Sequence, residues 1–131
     1  ACNFNCPECD YSKGEQEING YLNTYNIDHL NQKTFDNLIG IGGGLLSYDF
    51  YLPKYNLLIE YQGIQHEKPV DFDGLGMKHA KEQFKQQKEH DKRKRQYAKD
   101  NNINLLEIWY WDYDNIEKIL NNKIRERSEL T

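Results

Sequence analysis

Residues 45–52 and 56–62 are two short apolar runs separated by Pro53-Lys54-Tyr55, and each carries a single carboxylate, Asp49 in the first and Glu60 in the second. Runs of this length, rich in aromatic and branched residues and joined by a Pro-containing polar link, read as two strands of a hairpin. A carboxylate inside an apolar strand is expensive to bury unless it is paired or bound to a metal. The hairpin therefore predicts a sheet that has a use for two buried charges. Neighbouring strands lie about 5 Å apart, so a tight turn brings Asp49 near Glu60. Glu60 and Gln62 are two residues apart and project from one face of their strand. His66 follows just past the strand end, within reach of the same face.

The rest of the chain supplies the layers around that hairpin. Ser12-Lys13-Gly14-Glu15 fits a capping box, and Ile18, Tyr21, Leu22 and Tyr25 follow at helical spacing, which predicts a helix over 13–25. A short strand is expected around 32–35, and Gly40, Gly42, Gly43 and Gly44 form a loop. No Lys-Ser/Thr follows those glycines, so they do not read as a phosphate cradle. A loop over 67–76 leads to a long helix over 77–101, a third strand over 103–110, and a last helix to about 125 capped by Asp112 or Asp114. This order predicts an α/β fold, with helices flanking one mixed sheet.

The formal net charge is −4, yet the chain from Leu75 to Lys99 holds nine Lys/Arg against three acidic residues, a local +6. A basic stripe of this kind is an electrostatic footprint for phosphates, and Lys88, Lys92, Lys94 and Arg95 are its candidate phosphate contacts. The plainer alternative is a solvated helix face. No apolar run approaches the length of a membrane span, so no membrane partner is expected. The three cysteines all fall within the first nine residues, as Cys2, Cys6 and Cys9. That cluster reads as metal chemistry or as reduced thiols rather than a disulfide scaffold. Cys6 and Cys9 form half of a zinc knuckle, and a closed zinc site needs four ligands. We therefore expect a cysteine-bearing lead over 1–11, a main domain over 12–131, and missing zinc ligands upstream in a longer protein. The start at Ala1-Cys2, without Met, points the same way.

Carboxylates on adjacent strands suit metal-assisted phosphodiester hydrolysis, in which a divalent cation acidifies water and neutralises charge on the phosphate. Asp49 followed by Glu60-Tyr61-Gln62 resembles the D…(D/E)-x-K pattern of the PD-(D/E)XK nucleases. The stretches "YDFYLPKYNLLIEYQGIQH" and "HDKRKRQYAKDNNINLLEIWYWDYDNIEKIL" resemble, more closely, the phage and mobile-element EDxHD homing endonucleases, relatives in fold of the very-short-patch repair endonuclease. The likeness covers roughly residues 12–120. It implies a restriction-endonuclease-like fold and a Mg²⁺- or Mn²⁺-dependent endonuclease that cuts or nicks double-stranded DNA in the cytoplasm. A homodimer or a larger parent protein is left open.

Carried over by position, the resemblance makes Asp49 and Glu60 the Mg²⁺ ligands. It also makes Glu15, Gln62, His66 and Asp91 members of the catalytic group. Gln62 departs from the pattern, because it replaces the lysine that would position water and supply charge. That departure shifts weight onto His66 as base or ligand. Two local readings stay open beside the resemblance: Glu15 is explained by the capping box, and Asp91 by an ion pair with Lys94 or Arg95. The alternative for the whole chain is a non-catalytic nucleic-acid-binding module on the same fold.

Overall fold

The computed structural model describes residues 7–71 and 74–129, with side chains from residue 13 onward. Its elements run α1 (Pro7–Thr24), β1 (Leu30–Ile39), β2 (Leu45–Leu52), β3 (Leu57–Gln62), α2 (Met77–Asp100), β4 (Asn104–Trp109) and α3 (Ile116–Glu129). The strands form one mixed sheet in the order β1-β2-β3-β4. The first two pairings are antiparallel hairpins, and β3 pairs in parallel with β4. A parallel pair needs a crossover, and α2 provides it.

Two apolar clusters define three layers. On one face, Ile18 and Leu22 of α1 and Ile116, Leu120 and Ile124 of α3 pack on Phe50, Leu52, Leu57, Ile59, Tyr61 and Ile108 of the sheet. On the other face, Ala98 and Tyr97 of α2 pack on Tyr48, Leu58 and Leu105. The expected α/β sandwich is therefore present. The β2–β3 hairpin is present as well, its link a 3-10 turn (Pro53–Tyr55) closed by Asn56 in the left-handed region at φ 50°. The link's backbone is fixed by Pro53 at the start and Asn56 at the end, the residues suited to those conformations.

Helices α1 and α2 stop by one device. Asn26 and Asn102 adopt left-handed backbone, at φ 53° and 56°. The following Ile27 and Ile103 each donate N–H to a carbonyl five residues back, on Leu22 and Ala98, at 2.9 Å in both cases. This Schellman arrangement satisfies the helix-end carbonyls and turns an isoleucine back into the core.

Three expectations are corrected. Helix α1 begins at Pro7, ahead of the expected start at residue 13, so Ser12 lies within the helix rather than at its N-cap. Pro7 suits a first helical turn, which is why the helix can start earlier than the capping box suggested. Strand β1 is ten residues long, well beyond 32–35, because the exposed polar Asn31, Asp36 and Asn37 interrupt any period-2 signal. Asp112 and Asp114 fall in a 3-10 segment (Tyr110–Asn115) ahead of α3 rather than at its cap. Cys2 and Cys6 lie outside the described residues, as does the Cys9 side chain. Among the described residues, no helix is long and apolar enough to cross a membrane.

Candidate active site

The β2–β3 register places Phe50 opposite Ile59, and Asp49 and Glu60 follow just past this last backbone pair. There, side chains replace the backbone ladder. The Asp49 N–H donates to Glu60 Oε1 at 3.0 Å, and the Tyr61 N–H donates to Asp49 Oδ2 at 2.8 Å. Each carboxylate thus fastens the opposite strand. The strand is irregular here: Tyr48 and Tyr51 are three residues apart yet both pack on the α2 side, which strict alternation forbids. Such irregularities re-aim side chains beside functional sites. Asp49 and Glu60 are 5% and 2% exposed, so the buried carboxylates read from the sequence are buried in fact.

Helix α2 supplies what the hairpin lacks. Gln87, Asp91 and Lys94 lie at i, i+4 and i+7, one face of a helix. Lys94 Nζ donates to Glu60 Oε2 at 3.0 Å and sits 5.8 Å from the Tyr48 ring centroid. The Tyr48 hydroxyl in turn donates to the Lys94 carbonyl at 2.7 Å. Lys94, expected among the phosphate contacts, is therefore directed inward. Burial and the charge of Asp49 push the Glu60 carboxyl up to about 8, and the nearby ammonium only partly offsets them.

His66 sits in a 3-10 turn (Ile64–His66) directly after β3. Its Nδ1 lies 2.9 and 3.1 Å from the two oxygens of Asp91. Asp91 also accepts from Gln87 at 3.0 Å. Burial works against the Asp91 carboxylate, yet the His66 and Gln87 hydrogen bonds and the Lys94 charge outweigh it and hold its pKa below the usual range. An ionised Asp91 can only accept, so Nδ1 carries the proton. In its neutral form such a ring has its lone pair on Nε2, as a base or ligand requires. The ion pair imagined between Asp91 and Lys94 or Arg95 is not what holds Asp91; His66 and Gln87 do.

Gln62 is 1% exposed, and its amide donates to Glu107 Oε2 at 2.6 Å. Arg95 grips the same carboxylate, with Nη2 2.9 Å from Glu107 Oε2. Gln62 Oε1 is buried without a hydrogen-bond partner. Glu107 was missed in the sequence, although it shows the signal that marked Glu60, a carboxylate among Leu105, Leu106 and Ile108. Lys94, expected among the phosphate contacts, instead pairs with Glu60, and its i+3 spacing from Asp91 puts both on one helix face.

Glu15 enters from the other layer. The preceding Gly14 lies so close to β3 that a Cβ there would fall 2.2 Å from the Tyr61 ring. That contact docks α1 on the strand that carries Glu60, with Glu15 half-buried beside it. The outward cations Lys88 and Lys92 are exposed.

Among the described residues, no three His, Cys, Asp or Glu side chains converge as a metal cluster. Mg²⁺ does not require one, since it is commonly held by one or two carboxylates together with water and substrate phosphate. A carboxylate offers about four lone-pair sites, so the N–H bonds to Asp49 and Glu60 leave ligating capacity on both. The donor set therefore fits a hard divalent cation.

The fold and site together define a three-layer α/β/α domain whose hairpin pairs two buried carboxylates against a lysine. In sequence, the chain is similar to "Uncharacterized protein 307L" of Invertebrate iridescent virus 6, with 38% identity over 80 residues. The match covers 61% of this chain, which spans only 38% of that relative's length. No family model matches the chain, and no solved structure matches it.

Proposed function

We propose that this chain is a Mg²⁺-dependent endonuclease of the PD-(D/E)XK type that hydrolyses phosphodiester bonds in double-stranded DNA. The observation that carries this reading is the Asp49–Glu60 pair, buried face to face with Lys94 on Glu60 Oε2. Burying two carboxylates and an ammonium costs stability, and groups so perturbed cluster at functional sites.

In this reading Asp49 and Glu60 hold the cation, with the Tyr61 carbonyl beside them. When bound, the ion acidifies a water and neutralises phosphate charge. Lys94 supplies the ammonium that the superfamily pattern places where Gln62 stands. His66 accepts a proton at Nε2, and Asp91 fixes its tautomer and orientation. Gln62 and Glu107 brace the strand ends, and Glu15, in the α1 layer, joins the group only through the resemblance.

The test is cleavage of supercoiled plasmid by purified protein with Mg²⁺ or Mn²⁺. Cleavage should require the metal and disappear in Asp49→Asn. Undiminished cutting by that variant would sink the assignment.

One observation favours a second reading, a non-catalytic DNA-binding module. Gln62 is tied to Glu107 and brings no charge. DNA binding without metal-dependent cleavage would select it.

A further inference from the structure

Basic residues of α2 recur at 78, 81, 85, 88, 92, 95 and 99, at alternating intervals of three and four. That spacing places them along one flank of the helix. All seven are exposed. Among the described residues, Arg95 is the one of these in a salt bridge, to Glu107. The six lysines have no acidic partner there, although Lys88 lies over the Phe84 ring at 5.1 Å. Of the four acids of α2, Asp91 points inward to His66 and Glu89 is taken by Arg93 at 2.9 Å, Asp100 ends the helix, and Glu82 stands beside Lys78 and Lys85 at helical spacing. Seven cations with Glu82 alone interleaved among them leave the flank strongly basic.

We infer that this flank of α2 is a binding ridge for the sugar-phosphate backbone of duplex DNA. At 1.5 Å per residue the ridge is about 31 Å long, with a cation about every 5 Å. That length matches about nine base pairs at 3.4 Å each. A lipid surface fits poorly, because the apolar side of α2 is packed on the sheet and the exposed Leu75 and Met77 lie at one end of the helix rather than along the ridge. Single strands fit less well than a duplex, since single-strand sites offer successive aromatic stacking platforms and the one ring bordering the ridge, Phe84, is half-buried and covered by Lys88.

The ridge also meets the candidate site. Arg95, one of its members, grips the Glu107 carboxylate that receives the Gln62 amide. A backbone lying along the ridge therefore passes the rim of the hairpin. The inference rests on the nuclease reading for its choice of nucleic acid, and it extends that reading from four candidate contacts to a continuous track that excludes Lys94.

Anisotropy of a labelled 20-base-pair duplex, titrated with the full chain in chelator at several salt concentrations, tests it. With five or six phosphates engaged, log affinity should fall against log salt with a slope of about −5. The triple variant K85A/K88A/K92A should lose at least 10-fold in affinity and about three units of slope. Lysine-to-arginine changes at the same positions should keep both, and circular dichroism should show the variants folded. Unchanged binding by the folded triple variant would overturn the ridge, as would no duplex binding at low salt. Equal affinity for polyglutamate or for single-stranded DNA would overturn the choice of occupant. Asp49→Asn separates this inference from the nuclease reading. Binding that persists in a wild-type protein unable to cut would leave the ridge standing and remove the nuclease. Cleavage that persists in the triple variant with unaltered binding would do the reverse.

Discussion

Nδ1 of His66 lies 2.9 Å from Oδ2 of Asp91 across 25 residues of chain, with both side chains almost wholly buried. A carboxylate so placed fixes the tautomer of the imidazole and keeps Nε2 as its basic nitrogen. Asp91→Asn preserves the shape and removes the obligatory acceptor. Cleavage should fall by about 10- to 100-fold, the usual cost of losing such an orienting partner. Its pH profile should shift while duplex affinity in chelator stays near wild type. A purely structural Asp91 would instead lower stability with no change in the profile.

Acid stability follows from the same pair. The folded Asp91 carboxyl has a lowered pKa, so the unfolded chain binds its proton first. The stabilisation is present above the model-peptide value near 3.8 and is lost as pH falls through the lower folded value. Wild type should therefore lose more stability than Asp91→Asn between pH 5 and pH 2, measured by urea unfolding.

Glu60 has the opposite sign. Its folded carboxyl is pushed from 4.5 up to about 8, so the folded state holds a proton that the unfolded chain releases. Metal-free protein should lose stability as pH rises between those values. Glu60→Gln removes that titration. Its melting temperature relative to wild type should be higher at pH 9 than at pH 5, by roughly 3–6 °C for each kcal/mol involved. A constant difference across that range would contradict the raised value.

Lys94 and the ridge lysines should separate in kinetics. Lys94→Met removes the ammonium from Glu60 while leaving the outer flank intact. The rate of cutting bound DNA should drop by about 10²-fold or more, as for loss of one preorganised charge donor. Affinity in chelator should change little. Lys88→Ala should weaken affinity and leave the rate at saturating DNA nearly intact.

Gly14 is required by the approach of α1 to Tyr61 rather than by its own backbone. Gly14→Ala puts a methyl into the Tyr61 ring and should cost about 1–3 kcal/mol by overpacking. In a Tyr61→Leu background the same change should cost less, and a double-mutant cycle in urea measures the coupling. An additive cycle would mean that the helix simply shifts.

How much was legible followed burial. Asp49 and Glu60 stood out because a charge among apolar neighbours breaks a pattern, and the hairpin around them announced itself through Pro53. The same signal stands at Glu107, among Leu105, Leu106 and Ile108, but no second carboxylate or motif nearby draws it out. Strand β1 was legible only in part, since Asn31, Lys33 and Asp36 carry no alternation. The partners on α2 were hidden because they depend on which way the helix is turned. Composition marks Lys92, Lys94 and Arg95 alike, and only docking on the sheet sends Lys94 inward. Glu15 was half visible: Gly14-Glu15 could be seen, but not the ring against which the glycine packs.

The crossover position of α2 has a consequence for how the chain folds. The β2–β3 hairpin closes a short loop and can form early, while Lys94 and Asp91 arrive only with the long-range pairing of β3 and β4. An early hairpin therefore sets Asp49 against Glu60 before any cation is there to separate them. Nascent structure is handicapped by its own future chemistry, and a proton on Glu60 relieves it. Refolding of the metal-free chain should run faster at pH 5.5 than at pH 8.5, with Glu60→Gln abolishing the difference.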